Sequence, residues 1–452
     1  MENGRVIRRN TFSIKTLGCK LNQYESECLR SNLEKIGFEF RKFYEKADFY
    51  IINTCTVTGK TDSRSRNAVR RARRKAPDSV IITTGCYVES NPRDLEKMDE
   101  INYLVGNKDK SYIPYLLECI RENGNKTELN IEDITENKPR LGCEIDLFHG
   151  HSRAFIKIQD GCNAFCSYCI IPFTRGRNRS VAPDNIISQI KRLVKNGYEE
   201  IVLTGIHIGR YGKDSDFSAD LVMLLRKILK NTEGIRIRFS SIEPTEVTSE
   251  LIKLVSETNR VAPHFHIPLQ SGDNSVLKAM NRPYTVEQYI EKTMEIASYM
   301  PDAAIGTDII VGFPGETDDN FKNTCSLIES ELPVNYLHVF SYSDRPGTRA
   351  ESLPGKIDPE TRKKRSRELI EIGKTKKREF LFSQKNRNEI ALVQEKLDAD
   401  ERFYKSITGN YCEIILPASS ADLRGKLVPV RFSGNRGGLF FGEITGEPLI
   451  KE

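Results

Sequence analysis

Between residues 12 and 120 short apolar runs alternate with helical stretches: FSIKTLG, a helix carrying Leu29, Leu33 and Ile36, FYIINT, a basic helical stretch, and SVIITTG. This alternation predicts a mainly parallel sheet covered by helices. Residues 122–147 are polar, lack strong periodicity and read as a linker with some wrapping structure. A second series begins at AFIKIQ and continues through EIVLTG, RIRFSS, FHIPLQ, AIGTDIIVGF and YLHVFSYS. The helices between these runs are amphipathic; residues 185–196 set Ile186, Ile187, Ile190, Leu193 and Val194 at three- and four-residue spacing. Six such strands in about 190 residues fall short of an eight-unit barrel, which needs about 250, so an incomplete barrel is predicted, with its chemistry at the carboxyl ends of the strands. From about residue 380 the pattern becomes five short strands, NEIALVQ, FYKSIT, CEIILP, KLVPVRFS and GLFFGEI, separated by turn residues. That spacing predicts a small closed barrel of the oligonucleotide-binding kind.

The expected fold class is therefore α/β: a flavodoxin-like domain over 10–121, a linker over 122–147, a partial (β/α)6 barrel over 148–378, and a small OB-like β-barrel over 380–446. With 452 residues, 38% of them apolar and 29% charged, the chain is ordinary for a globular protein and falls outside collagen-like, disordered and disulfide-scaffold classes. No run approaches the roughly 20 apolar residues of a membrane span. The start, MENGRVIRRN, lacks the apolar core of a secretory signal, so a cytoplasmic protein without a membrane partner is expected. The net charge of +6 decides little, but its distribution does. Residues 64–75, RSRNAVRRARRK, carry seven basic side chains and no acid. Such a helix either neutralises phosphates, with Arg70 and Arg71 as candidate contacts, or presents a solvated face.

Eleven cysteines, an odd number in a long chain, favour metal or redox chemistry over a disulfide framework. Cys162, Cys166 and Cys169 in DGCNAFCSYC follow the first strand of the second series. Three thiolates at this spacing can hold three irons of a [4Fe-4S] cluster and leave the fourth open. Zinc is the alternative, but a tetrahedral site wants a fourth protein ligand. Cys19, Cys55 and Cys86 each end a predicted strand, 36 and 31 residues apart, about one strand-helix-strand unit. A parallel sheet brings such positions to one edge, where ligands gather. They read as a second three-thiolate set, against the plainer possibility of small buried hydrophobes. Cys28, Cys119, Cys143, Cys325 and Cys412 share no such register and are expected as ordinary side chains.

CNAFCSYC in its β/α setting resembles the radical S-adenosylmethionine superfamily, and TLGCKLNQYES, NTCTVT and GCYVE resemble the amino-terminal domain of the methylthiotransferases. The carboxyl-terminal barrel resembles the TRAM RNA-binding domain, so the resemblance spans nearly the whole chain. TLGCKLNQYES is most similar to the bacterial tRNA N6-threonylcarbamoyladenosine methylthiotransferases. The resemblance implies a [4Fe-4S] cluster on Cys162, Cys166 and Cys169 that binds S-adenosylmethionine and cleaves it to a radical. It implies a second, auxiliary [4Fe-4S] cluster on Cys19, Cys55 and Cys86 that carries the inserted sulfur, with another S-adenosylmethionine donating the methyl group. The implied product is the 2-methylthio derivative of threonylcarbamoyladenosine at position 37, beside the anticodon. The implied partners are a tRNA anticodon stem-loop and a reduced flavodoxin- or ferredoxin-type electron donor.

The hydrogen at adenine C2 is not acidic, so acids and bases alone offer no easy route to its removal. Tyr168 matches the superfamily's usual aromatic residue and could pack on the cofactor's adenine. Thr204, Gly205, Ser241, Glu243, Gln270, Asp308 and Gly312 sit at predicted strand ends, where a cofactor pocket would lie, although each could equally be a turn or a cap. His264, His266 and His338 lie in apolar strands and read as core histidines. A carboxylate-bearing substituent needs a cationic or hydrogen-bonding pocket, for which Arg345 and Arg349 are candidates. Phe403, Tyr404, Tyr411, Phe432, Phe440 and Phe441 could stack on bases or fill the small barrel. Isopentenyladenosine or a ribosomal protein aspartate as substrate are enzymatic alternatives. A non-catalytic iron-sulfur RNA-binding regulator is an alternative of another class, and it leaves the six-unit section without a task.

Overall fold

The computed structural model describes residues 10–123, 141–215, 217, 219–397, 400–418, 422–436 and 438–449. They form two compact units, one spanning residues up to Asp146 together with Cys169–Arg177 and Asp344–Gly347, the other holding Leu147–Tyr168, Asn178–Ser343 and the chain from Thr348 onward.

The first unit is built on a five-stranded parallel sheet in the order β2-β1-β3-β4-β5, comprising β1 (Thr11–Thr16), β2 (Glu39–Phe40), β3 (Phe49–Thr54), β4 (Val80–Gly85) and β5 (Tyr103–Val105). This is the flavodoxin-like order. β3 and β4 are buried at every residue, as strands covered on both faces must be. The two-residue period sorts their side chains: Phe49, Ile51, Val80 and Ile82 join Leu33 and Ile113 on one face, while Tyr50, Ile52 and Ile81 join Val69 and Leu95 on the other. Each such burial contributes about 1.5–3 kcal/mol. The basic helix Gly59–Lys75 starts at a capping box between Thr58 and Thr61 and buries only small residues, Ser65, Ala68, Val69 and Ala72.

One expectation is corrected here. Cys28 and Cys143 are not ordinary side chains but form a disulfide, with Cα atoms 5.1 Å apart. Cys28 faces the returning segment from the helix Lys20–Lys35, and one turn further along Ser31 Oγ donates to Glu144 O at 2.8 Å and Asn32 Nδ2 to Gly142 O at 3.1 Å. These positions share a helix face.

In the second unit, β6 (Ala154–Lys157), β9 (Glu200–Thr204) and β10 (Arg236–Phe239) form one parallel sheet, and β11 (His264–His266), β12 (Ala304–Val311) and β13 (Tyr336–Ser341) another. A bridge between Ile237 and Val261 links the two, giving the expected incomplete six-strand barrel. A short antiparallel pair of β7 (Gln159–Asp160) and β8 (Arg179–Ser180) follows β6. The carboxyl-terminal strands β14 (Asn388–Leu397), β15 (Asp400–Thr408), β16 (Glu413–Pro417), β17 (Leu427–Arg436) and β18 (Leu439–Ile444) close into a barrel. Tyr404, Phe432 and Phe440 fill its core. Tyr411 instead stacks on His264, ring centroids 4.2 Å apart, and Phe403 meets Phe441 edge to face.

A buried charge network joins this small barrel to the sheet. Glu200 is fully buried; Arg236 Nε lies 2.5 Å from its Oε2 and Arg238 Nε 3.2 Å from its Oε1. The remaining guanidinium nitrogens donate to the backbone carbonyls of Ile390, Ile407, Thr408 and Gly409.

Candidate iron-sulfur site

In the first unit β1, β3 and β4 lie side by side, with Thr16 opposite Asn53 and Thr54 opposite Gly85. Their carboxyl ends therefore share one sheet edge, and Cys19, Cys55 and Cys86 follow directly from it. Gly18, at φ +99°, permits the close approach: a Cβ there would lie 2.9 Å from Cys55 Sγ. Burial pushes the Cys55 thiol up to about 11, and nearby Cys86 and Cys19 add to the rise. Desolvation also raises the Cys19 thiol, although the residue as a whole is exposed; Arg175 opposes that rise, and Cys86 and Glu25 reinforce it. Three cysteine sulfurs brought to one sheet edge suit a metal centre that takes all three as thiolates. Their number and soft donor chemistry fit a [4Fe-4S] cluster with one iron open to a non-protein ligand.

Polar groups that no spacing pattern reveals surround this edge. Arg175 Nη1 lies 2.9 Å from Glu25 Oε1 and its Nη2 2.6 Å from Asn22 Oδ1. Lys110 Nζ is 2.6 Å from Glu25 Oε2 and 3.1 Å from both Asn53 Oδ1 and Asn107 Oδ1. Asn107 Nδ2 in turn approaches Cys86 Sγ at 3.8 Å. Arg175 belongs to Cys169–Arg177, the segment that contributes Cys169 to this unit.

Cys162 and Cys166 belong to the second unit. Between them Phe165 adopts φ +48°, and its carbonyl accepts from Asn281 Nδ2 at 3.1 Å. Each sulfur meets a supported nitrogen. Cys162 Sγ lies 3.3 Å from His207 Nδ1, whose Nε2 is 2.9 Å from Glu246 Oε1. Burial alone would depress His207, but its bonds to Cys162 and Glu246 outweigh burial and lift it to about 10. Arg282 Nη1 donates to Cys166 Sγ at 3.0 Å while its Nη2 pairs with Glu243. Burial raises the Cys166 thiol, and the Arg282 charge pulls it back. Donors fixed on thiolate sulfur hold a cluster loop in shape and tune its potential. A cavity of about 440 Å³ beside this loop is lined by His207, Arg210, Glu243, Asn281 and Arg282 among others.

The other strand-end candidates are placed as follows. Thr204 ends β9 and Gly205 follows it, and the backbone nitrogens of Ile206 and His207 donate to Gln159 Oε1. Gln270, at φ +66°, bridges toward β12 by accepting from Ile310 N and donating to Asp308 O. At Gly312, φ +72°, a Cβ would collide with Arg362. Tyr168 packs against a cluster containing Val276, Met280 and Phe313. Ser241 Oγ lies 2.7 Å from His266 Nδ1, and Asp308 Oδ1 lies near both His266 and His338. Burial would raise the Asp308 carboxyl, but these two histidines hold it down at about 2. His264 and His266 fit the core reading, both buried and bonded, His264 to Tyr336 Oη at 2.7 Å, whereas the His338 side chain is 54% exposed.

The candidate arginines differ in what holds them. Arg345 is buried in the first unit, with Nη1 2.6 Å from Asp62 Oδ2 and bonded also to Thr56. Arg349 is exposed on a short 3₁₀ turn, Arg349–Ser352. Arg70 and Arg71 are exposed on the basic helix, whereas Arg73 donates to the carbonyls of Pro77, Ser79 and Glu100.

Residues 156–328 match the radical SAM superfamily, and residues 11–106 match the family described as Uncharacterized protein family UPF0004. A radical S-adenosylmethionine enzyme is the class that this match and the six-strand barrel define. The chain is 39% identical, over 89% of its length and 95% of the relative's, to the threonylcarbamoyladenosine tRNA methylthiotransferase MtaB of Aquifex aeolicus (strain VF5). To the Bacillus subtilis (strain 168) protein of the same name it is 37% identical over 93% of each chain. A tRNA-2-methylthio-N(6)-dimethylallyladenosine synthase of Thermoanaerobacter pseudethanolicus is also 37% identical, over 80% of this chain and 77% of that protein. The protein belongs to this family of radical tRNA methylthiotransferases, whose cofactors are two [4Fe-4S] clusters and S-adenosylmethionine. Among solved structures, the radical S-adenosylmethionine methyltransferase TsrM of Kitasatospora setae shares the fold, with TM-score 0.57 at 15% identity, covering 76% of this chain and 77% of that one.

Proposed function

We propose that this enzyme converts N6-threonylcarbamoyladenosine at position 37 of tRNA to its 2-methylthio derivative. Domain roles follow: 10–121 supports the auxiliary cluster, 148–378 the radical chemistry, and 380–446 RNA binding. The observation that carries this reading is the convergence of Cys19, Cys55 and Cys86 on one sheet edge, in a chain that matches nearly the full length of the threonylcarbamoyladenosine-modifying relatives. When bound with S-adenosylmethionine, a cluster on Cys162, Cys166 and Cys169 supplies the one-electron chemistry that removes an unactivated C2 hydrogen.

The chain's own groups hold and shield. His207 and Arg282 fix two of the thiolates, and Glu246 and Glu243 fix those two bases. Arg175 and Lys110, joined through Glu25, fasten the helix that begins after Cys19. A reduced flavodoxin- or ferredoxin-type protein is the proposed electron donor, and the cytoplasm the proposed compartment, consistent with the absence, among the described residues, of any helix long and apolar enough to cross a membrane.

The test incubates reconstituted enzyme, reductant and S-adenosylmethionine with anticodon stem-loops bearing either threonylcarbamoyladenosine or isopentenyladenosine. A methylthio mass increment on the first is expected. An increment only on the second would reassign the substrate.

A further inference from the structure

One polar cluster at the barrel strands has no part in holding cysteines. Asp308 in β12 and His338 in β13 are register neighbours, and His266 ends β11 beside them. Asp308 Oδ1 lies 3.1 Å from His266 Nε2 and 3.2 Å from His338 Nδ1. His266 is 8% exposed and is held from behind by Ser241 Oγ at 2.7 Å. The two imidazole centroids are 5.1 Å apart, with Tyr336 packed against both. The chain of contacts therefore runs Ser241, His266, Asp308, His338, and it ends at the one histidine of the pair whose side chain is 54% exposed.

We propose that His338, positioned by Asp308 and His266, binds the carboxylate of the N6 substituent and so reads this substrate. The inference rests on the threonylcarbamoyladenosine reading above and names the contact behind it. With Nδ1 turned to Asp308, His338 has Nε2 left for a ligand. A carboxylate bound at Nε2 would set the ring between two acidic groups, Asp308 on one side and the substituent on the other. His338 also borders a cavity of about 220 Å³ whose lining includes Tyr336, Lys377 and Tyr411. Arg345 is less suited to the task, because Asp62 already neutralises it. An isopentenyl group would leave the His338 donor without an acceptor, and sites built for a polar group reject apolar analogues on that account.

The experiment compares wild-type holoenzyme and H338Q on stem-loops carrying threonylcarbamoyladenosine or its methyl ester, which keeps the shape and removes the charge. Wild type is expected to favour the acid by about tenfold to a hundredfold in kcat/KM, mostly through KM, the range of a charge-assisted hydrogen bond. H338Q is expected to lose that preference, with both clusters still visible by iron content and electron paramagnetic resonance. A preference retained in H338Q, or equal losses on acid and ester, overturns the proposal. So does a stoichiometric transition metal present in wild type and lost in H338Q, since the three donor atoms lie within 4.8 Å of one another. If wild type modifies only isopentenylated RNA, the substrate reading fails first and this inference with it.

Discussion

Cys19 stands at the start of a helix whose first turns carry Asn22 and Glu25, and both are engaged by Arg175 from far along the chain. The Arg175 side chain is 1% exposed, with Glu25 supplying a counter-charge and Asn22 Oδ1 accepting a hydrogen bond. Cys19→Ala is expected to remove the auxiliary cluster alone: iron per chain falls by about half, 5′-deoxyadenosine still forms, and methylthiolation stops. Retained methylthiolation would remove the role assigned to that edge. Arg175→Ala leaves Glu25 still paired with Lys110. Removing one member of a buried pair costs about 3–5 kcal/mol, and Lys110 keeps the loss here near the lower end. The expected result is a lower melting temperature together with an altered signal from the auxiliary cluster. An unchanged signal with equal stability would make the Arg175 contact incidental.

At the scale of elements, the basic helix shows how composition and geometry divide the work. Of the run at 64–75, Arg73 is committed to three backbone carbonyls and Arg66 to Tyr87, while Arg70 and Arg71 remain exposed. Arg70→Gln with Arg71→Gln is therefore expected to flatten the dependence of log tRNA affinity on log salt by about 0.7–0.9 per charge removed, whereas Arg73→Gln lowers stability instead. Equal salt slopes in wild type and the double variant would place this face away from RNA. The strands that position the cysteines were legible because β3 and β4 are continuous apolar runs and because each cysteine ends a run at a repeat of one strand-helix-strand unit. Two-residue strands such as β2, β7 and β8 are too short to carry a period. The groups around the thiols were illegible for a different reason. Arg175 meets Asn22 across 153 residues, and His266, Asp308 and His338 meet through parallel register, which no local spacing encodes. The disulfide between Cys28 and Cys143 escaped in the same way, since its partners are 115 residues apart.

For the molecule as a whole, the consequential charge is one that does no chemistry. Glu200 is buried between Arg236 and Arg238, whose outer nitrogens reach four carbonyls of the carboxyl-terminal barrel. Leu427 N adds a bond of 2.7 Å to Glu199 Oε2. The small barrel and the radical SAM strands are thus expected to melt in one transition. Burial by itself would raise the Glu200 carboxyl, but Arg236, Arg238 and Arg153 outweigh it and hold it well below the usual range. A carboxyl depressed in the folded state contributes stability that is complete above its unfolded pKa of about 4.3 and is lost as pH falls toward the folded value. Wild-type melting temperature should accordingly drop below about pH 4.3. Glu200→Gln should be destabilised already at pH 7, by about 3–5 kcal/mol, because two buried guanidiniums lose their counter-charge. Its further loss on acidification should be smaller than that of wild type, since the titrating group is gone. Calorimetry of both proteins between pH 7 and pH 3.5 reads the two effects together. Two separate transitions in wild type at pH 7, or parallel acid slopes in the two proteins, would show that this network does not bind the small barrel to the sheet.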